Sequence, residues 1–126
     1  MKDIEHARTL LAIAEKDLQA LSLTKNTGIA DSIFGFHAQQ AVEKALKAWI
    51  AFKGIEYPRT HDIGMLIAVL SDQGCDTEGF SGLITYNPFA VQLRYDAVEE
   101  PDEPLDRAKV INDVKNILEF VGNLIR

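Results

Sequence analysis

Apolar residues recur at steps of three and four along most of the chain, the spacing that places them on one face of an α-helix. The longest uninterrupted example runs over residues 33–53, IFGFHAQQAVEKALKAWIAFK, with no proline. At about 100° per residue, Phe34, Ala38, Ala41, Ala45, Trp49 and Phe52 form one narrow stripe facing a core. His37, Gln40, Lys44 and Lys47 form a second, polar stripe shifted by less than a quarter turn. Upstream, Ile4, Ala7, Leu11, Ala14, Leu18 and Leu21 predict an amphipathic helix over residues 3–22, stopped by SLTKNTG, where Asn26 and Gly28 leave the helical basin. Thr27 or Asp31 is the expected cap of the central helix. Gly35 inside it costs about 1 kcal/mol by propensity, which a close helix crossing or a bend explains.

Past Gly54 the loop IEYPRTHD holds Pro58, which keeps its predecessor extended, and Thr60 or Asp62 caps the next helix. Ile63, Leu66, Ile67 and Leu70 predict this short third helix, ending in SDQGCDTEG. Phe80, Leu83 and Ile84 predict a fourth from about residue 78, which Pro88 restarts or kinks, with the pattern resuming through Phe89, Val91, Leu93 and Tyr95. Residues 96–104, DAVEEPDEP, hold two prolines and five acidic groups and read as a solvated loop. Leu105, Ala108, Ile111, Val114, Ile117, Leu118, Val121 and Leu124 predict a last helix over 105–125. With no repeat and no period-two alternation, the expected fold is all-α: an antiparallel up-and-down helical bundle of four main helices plus a shorter fifth, one domain over residues 1–126.

Composition narrows the function classes. A single cysteine, Cys75, forms no disulfide within the chain and completes no zinc spacing, and no apolar run approaches the roughly 20 residues that span a bilayer, so a cytoplasmic protein is expected. The net charge of −6 argues against a broad grip on duplex DNA. No phosphate-cradling glycine loop, paired metal-ligand histidines or serine nucleophile motif is present; neither a metal nor a cofactor is expected, and no catalytic residue is assigned. What remains is a set of polar groups able to converge: His37, Gln40, Lys44 and Lys47 on the central helix, Arg59 and His61 in the next loop, and Arg94, Tyr95 and Asp96 where the fourth helix ends. Arginine and lysine beside amide and aromatic groups suit a phosphate-bearing ligand. Each member also has a plain reading. The lysines make a solvated face with Glu43 paired to Lys47, His37 is a boundary histidine, His61 bonds loop backbone, and Arg94 is a helix-terminal ion pair.

The runs FHAQQAVEKALKAWI, PRTHDIGMLI and YNPFAVQLRYD, in that order, resemble the HEPN domain family (higher eukaryote and prokaryote nucleotide-binding) over about residues 5–124. The resemblance implies a helical bundle, often homodimeric, frequently acting beside a minimal nucleotidyltransferase in a toxin and antitoxin pair. Many members are metal-independent RNases in which an arginine is followed four to six residues later by a histidine. That spacing is missing here: Arg8, Arg94 and Arg107 lack such a histidine, and Arg59 has His61 only two residues away. The expected role is therefore a nonenzymatic module that binds a nucleotide (ATP or GTP) or docks the nucleotidyltransferase. The alternatives are an RNase toxin with a noncanonical Arg and His site, and a structural homodimer without a small ligand. Dimerisation is further expected from Ile33 and Phe36 on one flank of the central helix and Leu46 and Ile50 on the other, faces that five helices would struggle to cover.

Overall fold

The computed structural model describes residues 3–90 and 103–125. Its elements are α1 (Ile4–Thr24), α2 (Asp31–Phe52), α3 (Ile63–Asp72), a 3-10 helix (Glu78–Ala90) and α4 (Arg107–Ile125). The all-α expectation holds, and α2 packs against each of the other four elements. Two tethers display the up-and-down course. The Asp3 backbone N–H donates to the Ala51 carbonyl, pinning the start of α1 to the end of α2. Arg107, at the start of α4, reaches Asp31 at the start of α2.

Local chemistry sets the boundaries. Asp3 caps α1 by accepting from the His6 N–H, and Asp62 caps α3 by accepting from Gly64 and Met65. The start of α2 differs from expectation. Ala30 is its N-cap without a side-chain cap, while Asp31 lies inside the first turn. The Asp31 carboxylate is instead committed to the Leu105 N–H at 3.0 Å and to Arg107. Those bonds and the arginine charge outweigh the cost of burial and hold its carboxyl below the ordinary value. Asp106 caps the last helix, its side chain accepting from the Lys109 N–H at 3.1 Å, so α4 begins at Arg107 rather than at residue 105. The segment expected as a fourth α-helix is wound as the 3-10 helix up to Ala90, with Pro88 inside it. The continuation over Val91, Leu93 and Tyr95 and most of the acidic loop lie outside the described residues.

The core is centred on α2, where Phe34, Ala38, Ala41, Ala45, Leu46 and Ile50 are wholly buried. Burial of Leu46 and Ile50 corrects the premise of an open flank: the other elements wrap α2, so this face is used up within the chain, and Ile33 and Phe36 are half-buried. Gly35 is a packing residue. A Cβ there would stand 2.5 Å from the ring of the buried Phe89. Among the described residues, no helix is long and apolar enough to cross a membrane.

Candidate functional site

Glu43 is the centre of the polar side of α2. At about 100° per residue Gln39 and Glu43 fall on the same side as Leu46 and Ile50, so they are carried inward with them. Both are buried, Gln39 at 0% and Glu43 at 1% exposure. A carboxylate so placed must be fully bonded to stay charged. Its Oε1 accepts from Gln39 Nε2 at 2.9 Å and from His61 Nδ1 at 2.8 Å, and its Oε2 faces Lys47 Nζ at 3.1 Å and Lys44 Nζ at 3.7 Å. Burial pushes this carboxyl up, but the bonds from Gln39 and His61 and the charge of Lys47 win, and it sits below its ordinary value. Glu43 is thus ionised at neutral pH.

The amides complete the circuit. Gln39 Nε2 also donates to the His61 carbonyl at 3.2 Å, which ties the loop after Pro58 to α2. Gln40 Nε2 donates to Gln39 Oε1 at 2.7 Å, and Gln40 Oε1 accepts from Lys44 Nζ at 2.8 Å. An ionised carboxylate only accepts, so His61 presents a proton on Nδ1, and in the neutral ring Nε2 is the basic nitrogen. His61, half exposed, borders a small cavity of ≈ 250 Å³ with Asp62, Asn87 and Ala90.

The expected convergence is realised in part. Gln40, Lys44, Lys47 and His61 come together around Glu43. His37 does not join them: its Nδ1 pairs with Asp17 Oδ1 of α1 at 3.1 Å, so it serves the α1–α2 contact. Arg59 lies one step away, beside Tyr57, and makes no contact with Glu43. Arg94, Tyr95 and Asp96 fall outside the described residues. The link toward Arg59 is Lys47, whose ammonium stands 5.4 Å from the centre of the Tyr57 ring. Tyr57 O–H is in turn within 2.7 Å of His6 Nε2 on α1. Tyr57 and Arg59 border a cleft of ≈ 420 Å³ between the start of α1 and the end of α2, and a second of ≈ 490 Å³ toward Met65 and Val69. Among the described residues, no group of His, Cys, Asp or Glu is placed to hold a metal ion.

Gln39, Glu43, His6, Tyr57 and Asp17 are members of these networks that the polar stripe alone does not single out. The signal in the sequence was the company of Gln39 and Glu43: two polar groups on the helical side that also carries Leu46 and Ile50 must be buried and paired.

The sequence model of the HEPN domain matches residues 7–124. The chain belongs to the HEPN domain family. The crystal structure of an archaeal HEPN homologue superposes with a TM-score of 0.70 over 100% of both chains at 26% sequence identity. No curated protein sequence matches this one. In this HEPN chain Arg107, one of the arginines lacking a properly spaced histidine, is a structural clamp. Its guanidinium donates to the carbonyls of Thr24, Lys25, Thr27 and Ile29, pairs with Asp31, and lies over the Phe34 ring.

Proposed function

We infer that this HEPN protein is a nonenzymatic module that binds a phosphate-bearing ligand, a nucleotide, along the polar side of α2, and that it does so as a homodimer beside a minimal nucleotidyltransferase, in a toxin and antitoxin arrangement. The observation that carries the reading is the buried Glu43 carboxylate, which gathers Lys44, Lys47 and His61 while each keeps part of its side chain at the surface, 23%, 12% and 46% exposed respectively. Two ammonium groups against one carboxylate leave a local excess of positive charge in a chain of net charge −6. The hydrogen bonds around Glu43 hold those cations in place before a ligand arrives, which lowers the ordering cost of binding phosphate. The family membership and the missing RNase spacing support the nonenzymatic role and the partner. Calorimetric titration of ATP and GTP into the purified protein tests it. Binding should be measurable in the wild type and lost or weakened at least tenfold in a Lys44→Ala plus Arg59→Ala variant, as expected when two phosphate contacts are removed. No heat with either nucleotide refutes free-nucleotide binding.

The Glu43–His61 pair also supports a second reading, a metal-independent RNase. A buried carboxylate that orients a surface histidine is the arrangement used to hold a general base for the proton of a ribose 2′-hydroxyl. RNA cleavage by the protein alone, undiminished in His61→Ala, would exclude His61 as that base.

A further inference from the structure

The cleft of ≈ 420 Å³ falls within the size range of small-ligand sites, and beside Arg59 its rim carries an aromatic ring and a carboxylate, which a site for phosphate alone does not need. It is bordered by the half-buried Tyr57, by Ile55, and by the exposed Glu56 and Arg59. Neither Glu56 nor Arg59 makes a hydrogen bond or ion pair among the described residues, unlike Lys44, Lys47 and His61, which are all held by Glu43. The Tyr57 phenol is fixed by His6 at 2.7 Å, with the two rings nearly parallel at 11°. The site therefore offers a planar aromatic surface of set orientation, a carboxylate without a partner among the described residues beside it and a guanidinium on the same loop. Lys47 joins it to the Glu43 cluster, since its ammonium pairs with Glu43 at 3.1 Å and stands over the Tyr57 ring at 5.4 Å from its centre.

Resting on the nucleotide reading above, we propose that this cleft receives the base of the nucleotide and selects guanine over adenine, with Tyr57 as the stacking surface and Glu56 as the residue that reads the base edge. Stacking is indifferent to base identity, because every base has a π-face. Discrimination comes from the carboxylate, which only accepts hydrogen bonds. Guanine turns two donors, N1–H and the 2-amino group, to the same side, and one carboxylate accepts both. Adenine turns the N1 lone pair there, which a carboxylate repels. A ligand so placed directs its sugar and phosphates toward Arg59 and toward Lys47 and Lys44, which share the Glu43 Oε2.

The test is calorimetric titration of GTP, ITP and ATP into the wild-type protein and a Glu56→Gln variant, with Lys44→Ala as the control for the phosphate site. Glu56 is exposed, so the substitution leaves the fold intact. GTP should bind roughly tenfold more tightly than ATP, the scale of one bidentate base contact at an open site, with ITP, which keeps N1–H and lacks the amino group, between them. Glu56→Gln, whose amide can pair with either base, should bring GTP and ATP to within about threefold, and Lys44→Ala should weaken all three alike. Equal affinities in the wild type, or a GTP preference that survives Glu56→Gln, overturn the base assignment while leaving the nucleotide reading standing. Failure of all three to bind overturns both.

Discussion

Replacing Glu43 by glutamine is the sharpest probe of the polar cluster, because it keeps the shape and removes only the charge and one acceptor. In the native protein Oε1 accepts from Gln39 and His61, and Oε2 faces Lys47 at 3.1 Å and Lys44 at 3.7 Å. A glutamine must turn an NH2 toward one of these two groups of donors, so a donor faces a donor at a site only 1% exposed. Lys47, itself 12% exposed, also loses its counter-ion. Removing one partner of a buried pair costs about 3–5 kcal/mol, and the partial exposure of the lysines reduces this to about 2–4 kcal/mol. For a domain of this size that corresponds to a fall in Tm of roughly 8–16 °C. Urea and thermal denaturation of both proteins at pH 7 measure it. The pH dependence adds a second check. The carboxyl of Glu43 is held below its ordinary value of 4.5 in the folded state, so its contribution is complete above that value and is lost as pH falls through the folded-state value. The gap between wild type and Glu43→Gln should therefore narrow as the solution is acidified below about pH 4.5. A variant within 0.5 kcal/mol of wild type at neutral pH, a threshold set by the usual size of surface effects at about ±0.5 kcal/mol, or a gap independent of pH, refutes the account.

Two further substitutions test the architecture that presents the cluster. Arg107→Ala removes a guanidinium that bonds four carbonyls of the α1–α2 turn and the Asp31 carboxylate; a loss of about 2–3 kcal/mol is expected in urea denaturation, and Arg107→Lys should recover little of it because an ammonium cannot reproduce the fork. Gly35→Ala gains about 1 kcal/mol of helix propensity but drives a Cβ to 2.5 Å from the Phe89 ring, so it should destabilise by roughly 1–2 kcal/mol net, and Gly35→Ala combined with Phe89→Leu should be less than additive.

The bundle was legible because its signals are local and redundant. The steps of three and four through Ala7, Leu11 and Ala14, through Phe34, Ala38 and Ala41, and through Val114, Ile117 and Val121 each fix a helix and its inner face, and these residues are buried as expected. The polar site was legible only by half. Gln40, Lys44 and Lys47 share a stripe on one helix, so periodicity groups them, and His61 joins them through a contact 18 residues away in sequence. Periodicity could not tell that His37, on the same stripe, turns to Asp17, because that depends on how α1 is rotated against α2. The open flank was misjudged for a related reason. Leu46 and Ile50 look surplus when the helix is read alone, and only the packing of four elements around α2 uses them.

That arrangement bears on why a charge stands at Glu43 at all. Leu46 and Ile50 lie on the same side of α2 and are wholly buried at no electrostatic cost, so an apolar residue at position 43 would serve packing equally well. Buried ion pairs are commonly neutral or unfavourable compared with apolar replacements of similar volume, so stability alone is weak grounds for keeping one. What the carboxylate provides, and a leucine would not, is order outside the core. It sets the proton on His61 Nδ1, holds Lys47 between itself and the Tyr57 ring, and through Gln39 anchors the backbone of the loop that carries Arg59. His61, bonded to it, lines the small cavity beside Asn87, and the loop it anchors carries Tyr57 and Arg59 at the rim of the larger cleft. A buried charge whose bonds lead outward to surface cations and a surface histidine is the arrangement expected of a site that must be fixed in advance of a ligand.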